Sequence, residues 1–469
     1  MLEDFQNALG ESAVLSSADA MAPYLSEWRG LFHGQALAVL RPSSPEAVSE
    51  AVRLAAQHRL KIVPQGGNTG LVGGQIPDSA TTHIILSAER LTAIRKLDSD
   101  GNSITVEAGV VLERIQQAAE AADRFFPLAL GAQGSCQIGG NISSNAGGTG
   151  VLAYGNTRDL VLGLEVVLAD GRIWNGLRAL RKNNTGYDLK QLFIGGEGTL
   201  GFVTAAVLKL FPRPKGRQAA FMGFASPHAA LATLNIAQGL AGSHLTGFEL
   251  MPRIGIEFTT RHLDGARDPL QGSYPWYALV EISSGRSEAE AETLMLEAFQ
   301  AAFDKGHVAD AALAASSTQQ ADFWRLRHGM SEVQKHEGGS IKHDVSVPVS
   351  RMPDFIVEAC AAVEAAIPNC RPVPFGHLGD GNIHFNVSQP VGADRAAFLA
   401  QWERINIVVH DIVAAYDGSV SAEHGIGRLK AKLMPQIKSD VELDLMRRVK
   451  QSLDPEGLFN PGALLPPAA

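Results

Sequence analysis

Pro64-Gln65-Gly66-Gly67-Asn68-Thr69-Gly70-Leu71-Val72-Gly73-Gly74 is the stretch that decides the fold. Lys61 to Pro64 reads as a short strand running into it. A helix precedes that strand, opened by Ser44-Pro45-Glu46 and continued by Ala47 to His58. A capping serine, a proline in the first turn and then an acid are good helix-start chemistry. The glycines let backbone amides turn inward and approach an anion closely. No Gly-Lys-Ser/Thr follows, so this is not a Walker loop, and the spacing is not the usual dinucleotide fingerprint. Two further glycine clusters lie downstream, Gly131 to Gly150 and Gly195-Gly196-Glu197-Gly198-Thr199-Leu200-Gly201. One such loop could be a plain turn in a β-rich domain. Three, each near an expected strand, suit a long ligand whose pyrophosphate is cradled by several backbone segments.

The second half carries a different signal, Gly376-His377-Leu378-Gly379-Asp380-Gly381-Asn382-Ile383-His384. The histidines are seven residues apart, which on one straight strand places them on opposite faces. Asp380-Gly381-Asn382 supplies a bend that can bring them together. Beyond it, His384 and Asn386 share a polar face while Ile383, Phe385 and Val387 face the core. Glu423-His424 adds a carboxylate in another small-residue segment. Two histidines and one carboxylate make an open catalytic metal site, with His424 left to act as a base. A lone histidine more often caps a turn; the pairing in glycine surroundings favours the metal. Residue types alone fix neither the metal nor the reaction.

The composition sets bounds. A chain of 469 residues exceeds one ordinary core, so two or three domains are expected. A net charge of −9 and the lack of a long basic run argue against a nucleic-acid partner. Arg178 to Lys182 is a small basic cluster that reads as a solvated turn. No apolar run approaches a membrane span, and Met1 to Phe5 has no signal-peptide pattern. Cys136, Cys360 and Cys370 are too few and scattered for a disulfide framework, so a cytoplasmic location is expected.

The three glycine loops together resemble the flavin domain of the vanillyl-alcohol oxidase, or p-cresol methylhydroxylase, flavoprotein family. Pro64 to Gly74, Gly134 to Gly150 and Thr185 to Gly201 carry the resemblance. His377, His384 and Glu423-His424 narrow it to the FAD-linked D-2-hydroxyacid dehydrogenase branch. The resemblance implies an α+β chain in three blocks. Residues 1–214 would form a two-subdomain FAD-binding domain, ending at the proline-broken Phe211 to Lys215. Residues 215–420 would form an α+β substrate cap on an antiparallel sheet, with helices at Glu288 to Phe303 and Pro353 to Ile367. Residues 421–469 would close the active site and pack on the FAD domain, with a helix from Asp440 to Leu453.

The resemblance also implies roles. Pro64, Gly66, Gly67, Asn68, Thr69 and Gly70 would wrap the FAD pyrophosphate. Gly134, Ser135, Gly139, Gly140 and Ser143 would hold its phosphate and ribityl side, and Gly150 and Gly155 would continue that wall. Glu197 and Val203 would lie near the adenosine part, and Asn460 would return to the flavin. Some relatives attach FAD through a histidine where this chain has Asn68. Cys136 resembles a thiol attachment site but reads as a buried, unreactive cysteine. FAD is therefore expected to bind non-covalently.

The expected reaction is oxidation of a D-2-hydroxy acid, first of all D-2-hydroxyglutarate, to the 2-oxo acid. His377, His384 and Glu423 would bind a divalent metal, preferably Zn2+, which lowers the hydroxyl pKa. His424 would remove the hydroxyl proton, Asn386 would orient the carboxylate, and hydride would pass to the flavin. Arg327, Ser331 and Lys342 fall where relatives hold the distal carboxylate, and an Arg fork with a Lys suits a dicarboxylate. Relatives often carry Thr at Ser331 and Tyr at His343. Electrons would leave to an electron-transfer flavoprotein or a quinone. A homodimer is entertained without a residue to carry it. Three rival readings stay open: a D-lactate or D-malate dehydrogenase, a non-catalytic flavin subunit of a glycolate-oxidising complex, and a flavin-free zinc hydrolase.

Overall fold

The computed structural model describes residues 1–79 and 83–466. They divide into two compact units. One comprises 1–147, 155–213 and 423–469; the other comprises 148–154 and 214–422. The short segment 148–154, read from sequence with the cofactor loops, thus belongs to the second unit.

The first unit is built on two larger sheets, with a two-stranded one of Arg124–Phe125 and Phe211–Pro212 beside them. One has four strands in the order Val14–Leu15, Ala38–Leu40, His83–Ser87, Lys61–Gln65. Only the first pair is antiparallel. Parallel strands need a crossover, and helix Pro45–Gln57 supplies part of it. Ser44 caps this helix, accepting from the Ala47 amide at 3.1 Å. Val48, Ala51, Val52 and Ala55 form its buried stripe at helical spacing.

The other sheet has five antiparallel strands in the order Ile94–Asp98, Ser103–Glu107, Phe202–Lys209, Val161–Val167, Ile173–Gly176. Its central strand, Phe202–Lys209, is buried throughout except at Lys209. Packing on both faces removes the polar alternation of a half-exposed strand. A capping box of Ser439 and Glu442 opens the C-terminal helix Asp440–Leu453. Beyond it, Phe459 pairs with Ile62 and covers the edge strand that feeds the first glycine loop.

The second unit is one seven-stranded antiparallel sheet. Its order is Asp310–Leu313, Gly216–Phe224, Trp276–Ser284, Leu245–Pro252, Arg371–His377, Asn382–Ser388, Ser340–Ser346. Phe221, Met251, Tyr277, Leu279 and Phe375 project from the sheet into a core with Ile256, Phe258, Phe323, Leu326 and Met330. The last five come from helices Arg253–His262 and Ser317–Val333. Each such buried side chain contributes roughly 1.5–3 kcal/mol. Helices Glu288–Asp304 and Met352–Ala366 lie within two residues of their expected ends. Among the described residues no helix is long and apolar enough to cross a membrane.

Candidate active site

Strands Arg371–His377 and Asn382–Ser388 form a hairpin in which Phe375 faces His384 and Val373 faces Asn386. In this register, residues on one face are an odd number apart. The odd separation that would divide two histidines on a straight strand therefore unites them here. The rings of His377 and His384 stand 5.7 Å apart with their planes at 77°. A nitrogen of each lies within 4.8 Å of the other. Gly381 makes the turn possible: its φ is 86°, and a Cβ there would overlap the Val347 carbonyl oxygen. Asp380 Oδ1 accepts from the Asn382 amide at 3.1 Å, closing an Asx turn.

Glu249, on the adjoining strand, stands opposite His377. Its Oε1 pairs with His377 Nδ1 at 2.7 Å, and its Oε2 accepts from Arg327 Nε and Nη2, each at 2.7 Å. Glu249, Arg327 and His377 are only 1, 5 and 6% exposed. At that depth an unpaired ion would cost several kcal/mol, so these groups depend on one another. Burial alone would raise the Glu249 carboxyl. His377 and Arg327 outweigh it and hold the group down at about 2. A bond through Nδ1 orients the ring by its Nε2, which is how a carboxylate sets a metal-binding histidine. Arg327 also lies 4.9 Å from the Phe375 ring centre.

Asp344 is the cross-strand partner of His384, 3.8 Å from its Nδ1, and accepts from Asn382 Nδ2 at 3.0 Å. Asn386 Nδ2 donates to Gln334 Oε1 at 3.1 Å. Lys342 faces Asn386, and its Nζ donates to the Ser331 carbonyl at 3.0 Å. Ser331 follows Arg327 by one turn on helix Ser317–Val333. Burial pushes the Asp380 carboxyl up to about 6, against the pull of His377 and the Asn382 amide.

Glu423 and His424 follow Ala422, whose amide donates to the Asp344 carbonyl at 3.3 Å. Their own segment belongs to the first unit. There Glu197 accepts from the amides of Ile426 at 2.7 Å and Gly427 at 2.6 Å. Asn460 Nδ2 donates to the carbonyls of Gly74 and Glu197, both at 2.9 Å. Burial raises the Glu197 carboxyl while the two amides oppose it.

The glycine loops of the first unit meet: a Cβ on Gly67 would overlap the Ser135 carbonyl oxygen. Gly139, Gly140 and Ser143 lie on the short helix Ile138–Ser144, where Ser143 Oγ donates to the Gly139 carbonyl at 2.8 Å. Asn68 gives its amide nitrogen to the carbonyls of Pro23 and Ser26 at 3.1 and 2.9 Å, which turns its Oδ1 the other way. The side-chain oxygens of Asn68, Gln137, Asn141 and Asn460 are buried and accept nothing from the described residues. A buried acceptor left so is costly. Four of them at these loops fit a ligand rich in donors, as the ribityl and flavin portions of FAD are. Asn68, Asn145, Glu197 and Asn460 also hold left-handed backbones, with φ of 54, 51, 50 and 45°. Such residues concentrate at ligand clamps. Cys136 is buried, and burial raises its thiol, leaving it inert. Gly150 falls in the segment assigned to the second unit, and Val203 is buried within the central strand of the five-stranded sheet.

Sequence reasoning missed Glu249. Its signal was present as a lone carboxylate in the apolar run Phe248-Glu249-Leu250-Met251. A charge there needs a buried partner. The clamp of Glu197 on the Ile426 and Gly427 amides left no mark in the sequence, because backbone donors carry no residue code.

Comparisons with known proteins give the family. Residues 36–176 match the FAD binding domain family, and residues 213–464 match the C-terminal domain of FAD linked oxidases. The chain is 37% identical over 462 residues to the mitochondrial D-2-hydroxyglutarate dehydrogenase of Danio rerio, covering 98% of this chain and 84% of that protein. It is 38% identical over 441 residues to the D-2-hydroxyglutarate dehydrogenase of Xanthomonas citri pv. viticola, covering 94% and 92%. The solved structure of p-cresol methylhydroxylase with substrate bound shares its fold, with a TM-score of 0.76 at 15% identity over 99% of this chain and 96% of that one. The chain is an FAD-dependent oxidoreductase and belongs to the family of FAD-linked oxidases that includes the D-2-hydroxyglutarate dehydrogenases.

Proposed function

We propose that the chain oxidises D-2-hydroxyglutarate to 2-oxoglutarate with non-covalently held FAD and a divalent metal, zinc for preference. The observation that carries the metal is the His377–His384 pair on one hairpin face, with His377 locked by buried Glu249. When bound, FAD supplies the two-electron oxidant and the metal a Lewis acid that acidifies the substrate hydroxyl. His377 and His384 would offer ring nitrogens, and Glu423, the carboxylate that the sequence supplies, would make a two-histidine, one-carboxylate set of the kind that leaves positions open for substrate. His424 takes the hydroxyl proton, a role in which imidazole is the commonest side chain.

Lys342 is the leading cation for the distal carboxylate, because the residue is exposed while two nitrogens of Arg327 face Glu249. Arg327 serves first as the partner that keeps Glu249 ionised. The glycine loops, with Asn68 and Asn460, hold the cofactor, and neither Asn68 nor the buried Cys136 offers a point of covalent attachment. The dicarboxylate is supported by the names of relatives at 37–38% identity and by Lys342. An electron-transfer flavoprotein or a quinone-linked acceptor takes the electrons, as in the dehydrogenase branch the sequence resembles.

Metal removal tests this reading. Protein treated with a strong chelator should stay yellow yet lose anaerobic flavin reduction by D-2-hydroxyglutarate, and added Zn2+ should restore it. Full reduction by protein shown by elemental analysis to be metal-free would contradict the metal.

A further inference from the structure

We infer that Glu197 is a positioning residue for His424: its carboxylate fixes the segment that carries the base by accepting the Ile426 and Gly427 amides. The inference rests on the reading of His424 as the base. Resemblance alone places Glu197 at the cofactor; the hydrogen bonds give its carboxylate a second task.

The geometry is specific. Both carboxylate oxygens are engaged, Oε1 by Ile426 N at 2.7 Å and Oε2 by Gly427 N at 2.6 Å. Successive amides aimed at one carboxylate require an unusual backbone, and Gly425 and Gly427 supply it with φ of 82 and 51°. A Cβ on Gly425 would stand 2.7 Å from Glu197 Oε1, so the carboxylate also packs against the bend. Glu197 is itself held at both ends, its amide donating to Ser143 O at 2.8 Å and its carbonyl accepting from Asn460 at 2.9 Å. Downstream, the amides of Arg428 and Leu429 donate to Val72 O at 2.9 and 3.1 Å, and Arg428 Nη1 reaches Asp78 at 3.0 Å. The bend after His424 is thereby tied to a rigid frame through Glu197. Each of the two amides has its own carboxylate oxygen here. Glutamine would turn an NH2 toward one of them, and alanine would release both.

The test uses full-length FAD-loaded protein with Glu197→Gln, Glu197→Ala and the milder Glu197→Asp, beside His424→Ala. Three quantities are read: flavin content from visible absorbance, amide exchange across residues 420–430, and anaerobic flavin reduction by D-2-hydroxyglutarate. Glu197→Ala should keep its FAD and expose the Ile426 and Gly427 amides to faster exchange. Its limiting reduction rate should fall about 10–100-fold, the scale of a small misplacement of a reacting group, with the half-saturating substrate concentration nearly unchanged. Glu197→Gln should lie between it and the parent, and Glu197→Asp nearest the parent. Unchanged exchange at Ile426 and Gly427 would overturn the inference, and so would faster exchange with a normal reduction rate. Loss of FAD with unchanged exchange would return Glu197 to the cofactor alone. Normal reduction by His424→Ala would instead sink the underlying reading of the base, and exchange would then judge the clamp by itself.

Discussion

Replacing Glu249 with glutamine keeps its shape and removes its charge, leaving Arg327 buried without a counter-ion. The Glu249 carboxyl is held down from its ordinary 4.5 to about 2 in the fold. At about 1.4 kcal/mol per pH unit, that difference corresponds to roughly 3 kcal/mol of stability near neutral pH. The group is 1% exposed, so solvent screening takes little from this figure. Breaking a buried pair by removing one partner costs a similar 3–5 kcal/mol. Because the folded value is depressed, the contribution is complete above the ordinary 4.5. It drains away as pH falls toward 2, with less than about half remaining near pH 3. Urea unfolding followed by tryptophan fluorescence, with Trp276, Trp324 and Trp402 in the second unit, reads this. Glu249→Gln should be less stable than the parent by about 3 kcal/mol at pH 7, and the gap should narrow between pH 4.5 and pH 3. Equal stability at pH 7, or a gap that does not change with pH, would refute the argument. The same variant should bind its metal about 10–100-fold more weakly, through loss of the His377 orienting bond.

Two further outcomes follow from the second unit. Lys342→Ala should raise the half-saturating concentration of D-2-hydroxyglutarate about 10–100-fold, the worth of a charge-assisted hydrogen bond, and barely affect D-lactate. Parallel steady-state assays decide it, and equal losses for both acids would remove Lys342 from the distal carboxylate. Gly381→Ala puts a Cβ onto the Val347 carbonyl at φ 86° and should cost about 1–3 kcal/mol, lowering both the melting temperature and the bound zinc. A variant with parental zinc content would show that the turn does not set the histidine pair.

Much of the local structure was legible because it rests on local chemistry. Ser44 with Pro45 and the Asp380-Gly381-Asn382 bend each announce themselves by side chains acting within a few residues. The alternation of Ile383 to Val387 likewise places His384 and Asn386 on one face. What could not be read depends on contacts far apart in sequence. Glu249 meets Arg327 across 78 residues and His377 across 128. The order of the seven strands, in which Ser340–Ser346 pairs with Asn382–Ser388 at one edge, also lies beyond local pattern. The pairing of buried Arg327 with Glu249 likewise emerges only when strand and helix are stacked.

The central claim is a flavoenzyme that takes its electrons from a D-2-hydroxy dicarboxylate. The most direct measurement is the visible spectrum of the anaerobic, metal-replete protein titrated with D-2-hydroxyglutarate, with D-malate and D-lactate in parallel. Bleaching of the flavin band by D-2-hydroxyglutarate, at far lower concentration than by D-lactate, is the predicted result. A flavin band that D-2-hydroxyglutarate leaves untouched while D-lactate bleaches it would contradict the account.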